Sequence, residues 1–147
     1  MSDFAFVGPG GGEKIDFMGH LFLVKRSSDD FTFFVNEADP GNGAPMHIHD
    51  EMEENCFVIE GQIKARAGDQ EVECGPGDYV HIAKGVPHAW KCIGDQRCRL
   101  IWVTLPGGYE EMFTAMNEAV GDGEPDMGNI AEVAARFNTR FVGPMPE

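Results

Sequence analysis

The chain has 147 residues, 42% of them hydrophobic and 24% charged, with a formal net charge of −14. That is one domain's length of chain with enough apolar residues for a core. It carries too little basic surface to displace phosphate counterions, which excludes nucleic acid and anionic membrane surfaces as partners. No apolar run approaches the ~18 residues that span a bilayer. The start, Met1 to Gly12, lacks the basic-then-apolar order of a secretion signal, so the expected location is cytoplasmic. Cys56, Cys74, Cys92 and Cys98 lack C-x-x-C spacing and are expected to be free thiols in small buried positions.

Residues 1–18 read as an N-terminal arm. From 19 to 105, short strand signals alternate with turn residues. His20 to Lys25 is apolar with a basic end, and Phe31 to Val35 is aromatic and β-branched. Pro40-Gly41-Asn42-Gly43 turns the chain into an extended Pro45 to His49. Strand signals continue at Cys56 to Glu60 and Gln62 to Ala67, a hairpin turn at Gly68-Asp69-Gln70, and a return over Glu71 to Cys74. Tyr79 to Ile82, His88 to Ile93 and Cys98 to Leu105 complete the series, with corners at Gly75 to Asp78 and Lys84 to Pro87. Such strands at such spacing predict an all-β sandwich or barrel.

Residues 106–147 change character. Tyr109 to Val120 places Met112, Phe113, Met116 and Val120 on one helical face, with acids in the first turn. A second helix is expected over Ile130 to Phe137 with Asn129 as cap, after a linker from Gly121 to Gly128. Both helices are expected to cover the outside of the barrel or a partner subunit.

The chemistry concentrates at His47-x-His49, a carboxylate a few residues on, and His88. Three imidazoles and one carboxylate are a complete ligand set for a first-row divalent metal. On a strand His47 and His49 point the same way, while Glu51, Glu53 and Glu54 compete for the acid. If Glu54 opens its strand on the ligand face, Cys56 and Val58 share that face and Phe57 and Ile59 oppose it. Parity from His88 puts Trp90 beside the ligands. His20 and His81 have no comparable context and read as structural. Arg97 and Arg99, like Lys64 and Arg66, fit a solvated strand face.

These residues resemble the cupin superfamily. Its first motif is a glycine, five residues, His-x-His, three or four residues, Glu, six residues, Gly; here it runs Gly41, His47, His49, Glu54, Gly61. The second runs Gly77, Gly85, His88, with Ala83 where proline is usual and Cys92 where asparagine is. Glu54 is chosen over Glu53 by its spacing to Gly61. More loosely, Thr104 to Glu111, the helix after it and the tail from Phe141 to Pro144 are similar to small single-domain cupins of the quercetin 2,3-dioxygenase-like kind. The resemblance implies a cupin double-stranded β-helix, or jelly-roll barrel, over 19–105, with one or two C-terminal helices. It implies His47, His49, Glu54 and His88 as ligands of one divalent ion (Fe, Mn, Ni, Co or Zn), with Glu54 a candidate proton acceptor instead if it is released or only weakly bound. It further implies a small-molecule substrate, dioxygen as co-substrate if the reaction is oxidative, and a homodimer. Phe33, Val58, Trp90 and Trp102 are the expected pocket walls. Cupins also include isomerases, cyclases, lyases and sensors, so fold alone does not select the reaction.

Overall fold

The computed structural model describes residues 3–147. The strands are β1 (Glu13–Phe17), β2 (His20–Ser27), β3 (Thr32–Ala38), β4 (Gly43–His49), β5 (Glu53–Glu60), β6 (Gln62–Ala67), β7 (Gln70–Cys74), β8 (Tyr79–Ile82), β9 (His88–Ile93), β10 (Cys98–Leu105) and β11 (Thr139–Phe141). Helices α1 (Tyr109–Val120) and α2 (Met127–Ala135) lie between β10 and β11. One sheet has the order β1-β2-β3-β10-β5-β8 and the other β11-β4-β9-β6-β7. Together they form the expected cupin double-stranded β-helix, every pair being antiparallel.

Alternation sorts the side chains. On β3 the inward set is Thr32, Phe34, Asn36 and Ala38; on β10 it is Cys98, Leu100, Trp102 and Thr104, all buried. These meet Ile63, Trp90 and Cys92 from the facing sheet in one core. The four cysteines are free and buried. Gly61 makes the corner between β5 and β6 with φ of 78°, and a Cβ there would fall 2.7 Å from the Cα of Cys98. Glycine is required at that corner on both counts.

Four features add to or depart from the expectations above. Within the N-terminal arm, β1 pairs with β2 from Glu13 opposite Val24 to Phe17 opposite His20. The apolar β2 is thereby paired on both sides, with β1 and β3. The tail supplies β11, which pairs with β4 and places Thr139 opposite His49. The helices close one end of the barrel cavity rather than covering its outside: Met112, Phe113 and Met116 of α1 and Ile130 of α2 line it. The helix over 127–135 also starts earlier than expected, because Asp126, not Asn129, is the cap, its carboxylate accepting from the Gly128 and Asn129 amides.

Candidate metal centre

His47 and His49 alternate inward on β4, His88 opens β9, and Glu54 enters from β5. A register shift between Ala44 and His47 precedes the pairing of His47 with His88. Pro45 sits in that irregularity, having no amide to give to a regular ladder. His88 follows the Lys84-Gly85 turn, where Gly85 has φ of 79° and its amide donates to the His49 carbonyl at 2.9 Å, tying the two ligand segments together.

The ligand atoms of His47, His49, Glu54 and His88 all lie within 4.8 Å of one another, and all four residues are buried. The Nδ1 of His47 donates to the Pro45 carbonyl at 2.7 Å and that of His88 to the Val86 carbonyl at 2.9 Å. A carbonyl only accepts, so each Nδ1 carries a proton and each Nε2 turns inward with a lone pair unless the ring is doubly protonated. The Nδ1 of His49 lies 2.8 Å from the Thr139 hydroxyl, whose own proton can go to the Phe137 carbonyl at 3.3 Å. That leaves Thr139 free to accept from His49 and fixes the third ring the same way.

Glu54 meets these rings directly, Oε1 being 2.8 Å from His49 Nε2 and Oε2 3.2 Å from His88 Nε2. Lone pairs facing a carboxylate in a buried site need a cation between them, either a proton or a metal ion. Burial opposes ionisation of Glu54, yet the His49 and His88 imidazoles outweigh it and hold the carboxyl well below its usual range. Burial likewise opposes charge on His88, but Glu54 overrides it and raises the ring. For His47 burial dominates and the neighbouring His88 adds to it, so the ring falls to about 3 and stays neutral. Three neutral-capable imidazoles with anchored far nitrogens and one ionised carboxylate fit a divalent transition ion.

Thr139 anchors a ligand from the far end of the chain, and nothing near the His-x-His motif signals it. Thr139→Val keeps the shape and loses the acceptor. The expected result is a 10–100-fold fall, to order of magnitude, in metal affinity by chelator competition, with little change in unfolding temperature.

His47 and Glu54 also face a cavity of about 350 Å³. Trp90 and Trp102 line it, their ring centroids 6.1 Å apart. Val58 does not appear on its wall; it is fully buried in the core. Phe33 takes the outward side of β3, opposite Val103, and Phe34 holds the inward place opposite Trp102. The aromatic run from 31 to 34 offers no parity of its own, and pairing with β10 decides it.

Tyr109, His20 and Asn36 are cavity residues that the sequence reading did not place there. The Tyr109 hydroxyl is 3.4 Å from His49 Nε2. Burial, with Glu54 beside it, pushes the Tyr109 phenol well above its ordinary range, so it stays protonated. His81 is exposed beside Glu53 at 3.6 Å, outside the cluster. Arg97 pairs with Asp39 and Glu37, and Lys64 with Glu71, so those cations belong to the solvated surface. Among the described residues no helix is long and apolar enough to cross a membrane.

Residues 34–104 match the family model for the cupin domain. The chain is 25% identical over 113 residues to quercetin 2,3-dioxygenase of Bacillus subtilis (strain 168), a match covering 76% of this chain and 32% of that enzyme. It therefore spans about a third of that relative. Among solved structures it is similar to KdgF from Halomonas sp., with a TM-score of 0.67 at 15% identity over 73% of this chain and 99% of that one. It is also similar to the polyketide cyclase RemF from Streptomyces resistomycificus, with a TM-score of 0.60 at 22% identity over 69% of this chain and 79% of that one. With both histidine motifs on adjacent strands of a double-stranded β-helix and this domain match across them, residues 34–104 make up a cupin domain.

Proposed function

We propose that the protein is a metal-dependent dioxygenase acting on a small, hydroxylated aromatic or enolisable compound. The observation that carries this reading is the opening of the histidine and glutamate cluster into a cavity walled by aromatics and methionines, with no lysine or arginine among its described lining residues. Such a wall suits a flat, uncharged molecule and does not suit a phosphorylated or carboxylated one. The distant likeness to quercetin 2,3-dioxygenase supports the reaction class.

His47, His49, His88 and Glu54 would hold the ion, which is iron, manganese, nickel, cobalt or zinc by ligand chemistry. Bound there, it would supply Lewis acidity at a substrate oxygen and, if redox-active, a route for electrons to dioxygen. If Glu54 is released from the ion or only weakly held by it, its carboxylate can instead accept the proton of a substrate hydroxyl. Tyr109 keeps its proton and can donate a hydrogen bond to an oxygen beside Glu54. Trp90, Trp102 and Phe34 present ring faces and edges that orient a planar substrate, while Met112, Phe113 and Met116 keep water from the enclosed end.

Oxygen consumption on adding 3-hydroxyflavone to the iron-, manganese-, nickel- or cobalt-loaded protein is the expected result, read with an oxygen electrode. A second reading, a non-redox cyclase or isomerase, draws on the likeness to the polyketide cyclase RemF. It predicts turnover without oxygen and with zinc, and anaerobic turnover would replace the first reading by the second.

The protein is further proposed to act as a homodimer. Leu23, Val35, Ile101 and Phe57 stand in one row across the outward face of the six-stranded sheet, and Phe57 is 43% exposed. Leu23 and Val35 are already buried within the chain, so a second copy packing this face would cover chiefly Ile101 and Phe57, with Phe33 beside them. Light scattering at micromolar concentration should give twice the chain mass, and a clean monomer would remove this assignment.

A further inference from the structure

The cavity is longer than the metal cluster needs, and its far end is polar. Glu54 lies opposite Thr104, which lies opposite Thr32, so these residues mark one level of the barrel. Asn36 is further along β3 on the same inward face, roughly 13 Å from that level at ~3.3 Å per residue. Phe34 and Trp102 occupy the level between. Both Asn36 and His20 line the cavity.

The hydrogen bonding of this far pair is directional. The Nε2 of His20 donates to the Gly43 carbonyl at 2.9 Å. Its Nδ1 must then accept, and it does so from the Asn36 amide nitrogen at 3.2 Å. The same nitrogen also lies 3.3 Å from the carbonyls of Leu21 and Glu37. All donors of the Asn36 carboxamide are thus turned towards protein. Its Oδ1 meets no donor among the described residues, and although Asn36 is only 1% exposed this atom, unlike Thr104 Oγ1, is not sealed away without a partner. His20 stays neutral, because burial holds it below the usual imidazole range against the opposing pull of the Gly43 carbonyl. The far end therefore offers the Asn36 Oδ1 as a neutral acceptor, oriented by a neighbour, while the Oδ1 of nearby Asn42 is already taken by the Gly43 amide.

We infer that Asn36, positioned by His20, is a specificity residue that accepts a hydrogen bond from a neutral donor at the distal end of an elongated, flat substrate whose oxygen-bearing head lies at the metal cluster. This rests on the proposed function and adds what that reading leaves open, namely a second polar group on the substrate and where it binds. A buried acceptor that loses its water on ligand entry penalises any ligand unable to donate to it.

The test compares two probes that differ only at the far end: 3-hydroxyflavone and 3,4′-dihydroxyflavone. Binding to the zinc-loaded protein is measured by calorimetry without oxygen, so that neither probe is consumed. The wild-type protein should bind the dihydroxy probe about tenfold more tightly. Asn36→Leu should erase that preference. Asn36→Ser, too short to reach the ligand, serves the same purpose if the leucine variant does not fold. A merely structural Asn36 would weaken both probes equally. Equal binding of the two probes by the wild type, or a preference that survives either variant, overturns this inference and leaves the aromatic-substrate reading intact. Failure of the wild type to bind either probe removes both.

Discussion

Replacing His47 or His88 with alanine is expected to strip the protein of its metal while leaving the barrel folded. The ladder that places both residues is backbone pairing between β4 and β9, which does not need the imidazoles. Outer partners of metal ligands are commonly worth about 10–100-fold in affinity, so loss of a ligand itself should exceed that range. The two variants should differ in stability. His88 is one of two imidazoles at the buried Glu54 carboxylate, and deleting it costs that anion a partner, worth about 1–3 kcal/mol. His47 contacts Glu54 by no hydrogen bond, and its alanine variant should unfold closer to wild type. Metal content after desalting and thermal unfolding of the metal-free proteins check both parts. Stoichiometric metal retained in both variants would sink the ligand assignment. In the wild type the bound ion should be released as pH falls, because protons compete for the imidazoles and the carboxylate.

The metal cluster was legible in part because its geometry is local: His47 and His49 share a face by strand alternation. Parity left Glu51, Glu53 and Glu54 open, and only the resemblance to the cupin motif, through its spacing to Gly61, selected Glu54. The strands were legible from local signals as well: turn residues bound them, and six to eight residues such as Gln62–Ala67 or Cys98–Leu105 carry one alternating face. The cavity was legible only in part: Trp90 and Trp102 were expected on its wall and line it, while Phe33 and Val58 do not. Its walls come from β2, β3, β10, α1 and β11, and whether a residue on them faces inward depends on register with a strand far away in sequence. Phe33 and Phe34 are chemically identical, and only pairing with β10 tells them apart. His20 looks like an isolated histidine until Gly43 and Asn36 are brought to it from other strands. Thr139 reaches His49 across 90 residues, through a strand too short to show periodicity.

Phe113→Ala is expected to have the opposite signature to the histidine variants: a large loss of stability with the metal retained. The Phe113 ring stacks on Phe22 at 4.2 Å and on Tyr109 at 4.8 Å, and packs against Phe17 at 5.7 Å. It fastens α1 to the barrel together with buried Met112 and Met116 and the Asn117 side chain, which donates to the Asp16 carbonyl. Truncating a buried phenylalanine costs about 3–5 kcal/mol through lost burial and the cavity left behind. None of the four ligands lies on α1, however, and the His49 anchor Thr139 is held by β11 pairing with β4. The metal should therefore stay bound at temperatures where the variant is folded. Ligand affinity should fall, because the closed end of the cavity would admit water beside Phe22 and Tyr109. Denaturant unfolding gives the first quantity, metal analysis the second and calorimetry with 3-hydroxyflavone the third. If Phe113→Ala lost its metal as readily as His47→Ala, then the helices would be part of what holds the ligands together, and the division between a rigid metal-bearing barrel and a helical closure would be wrong.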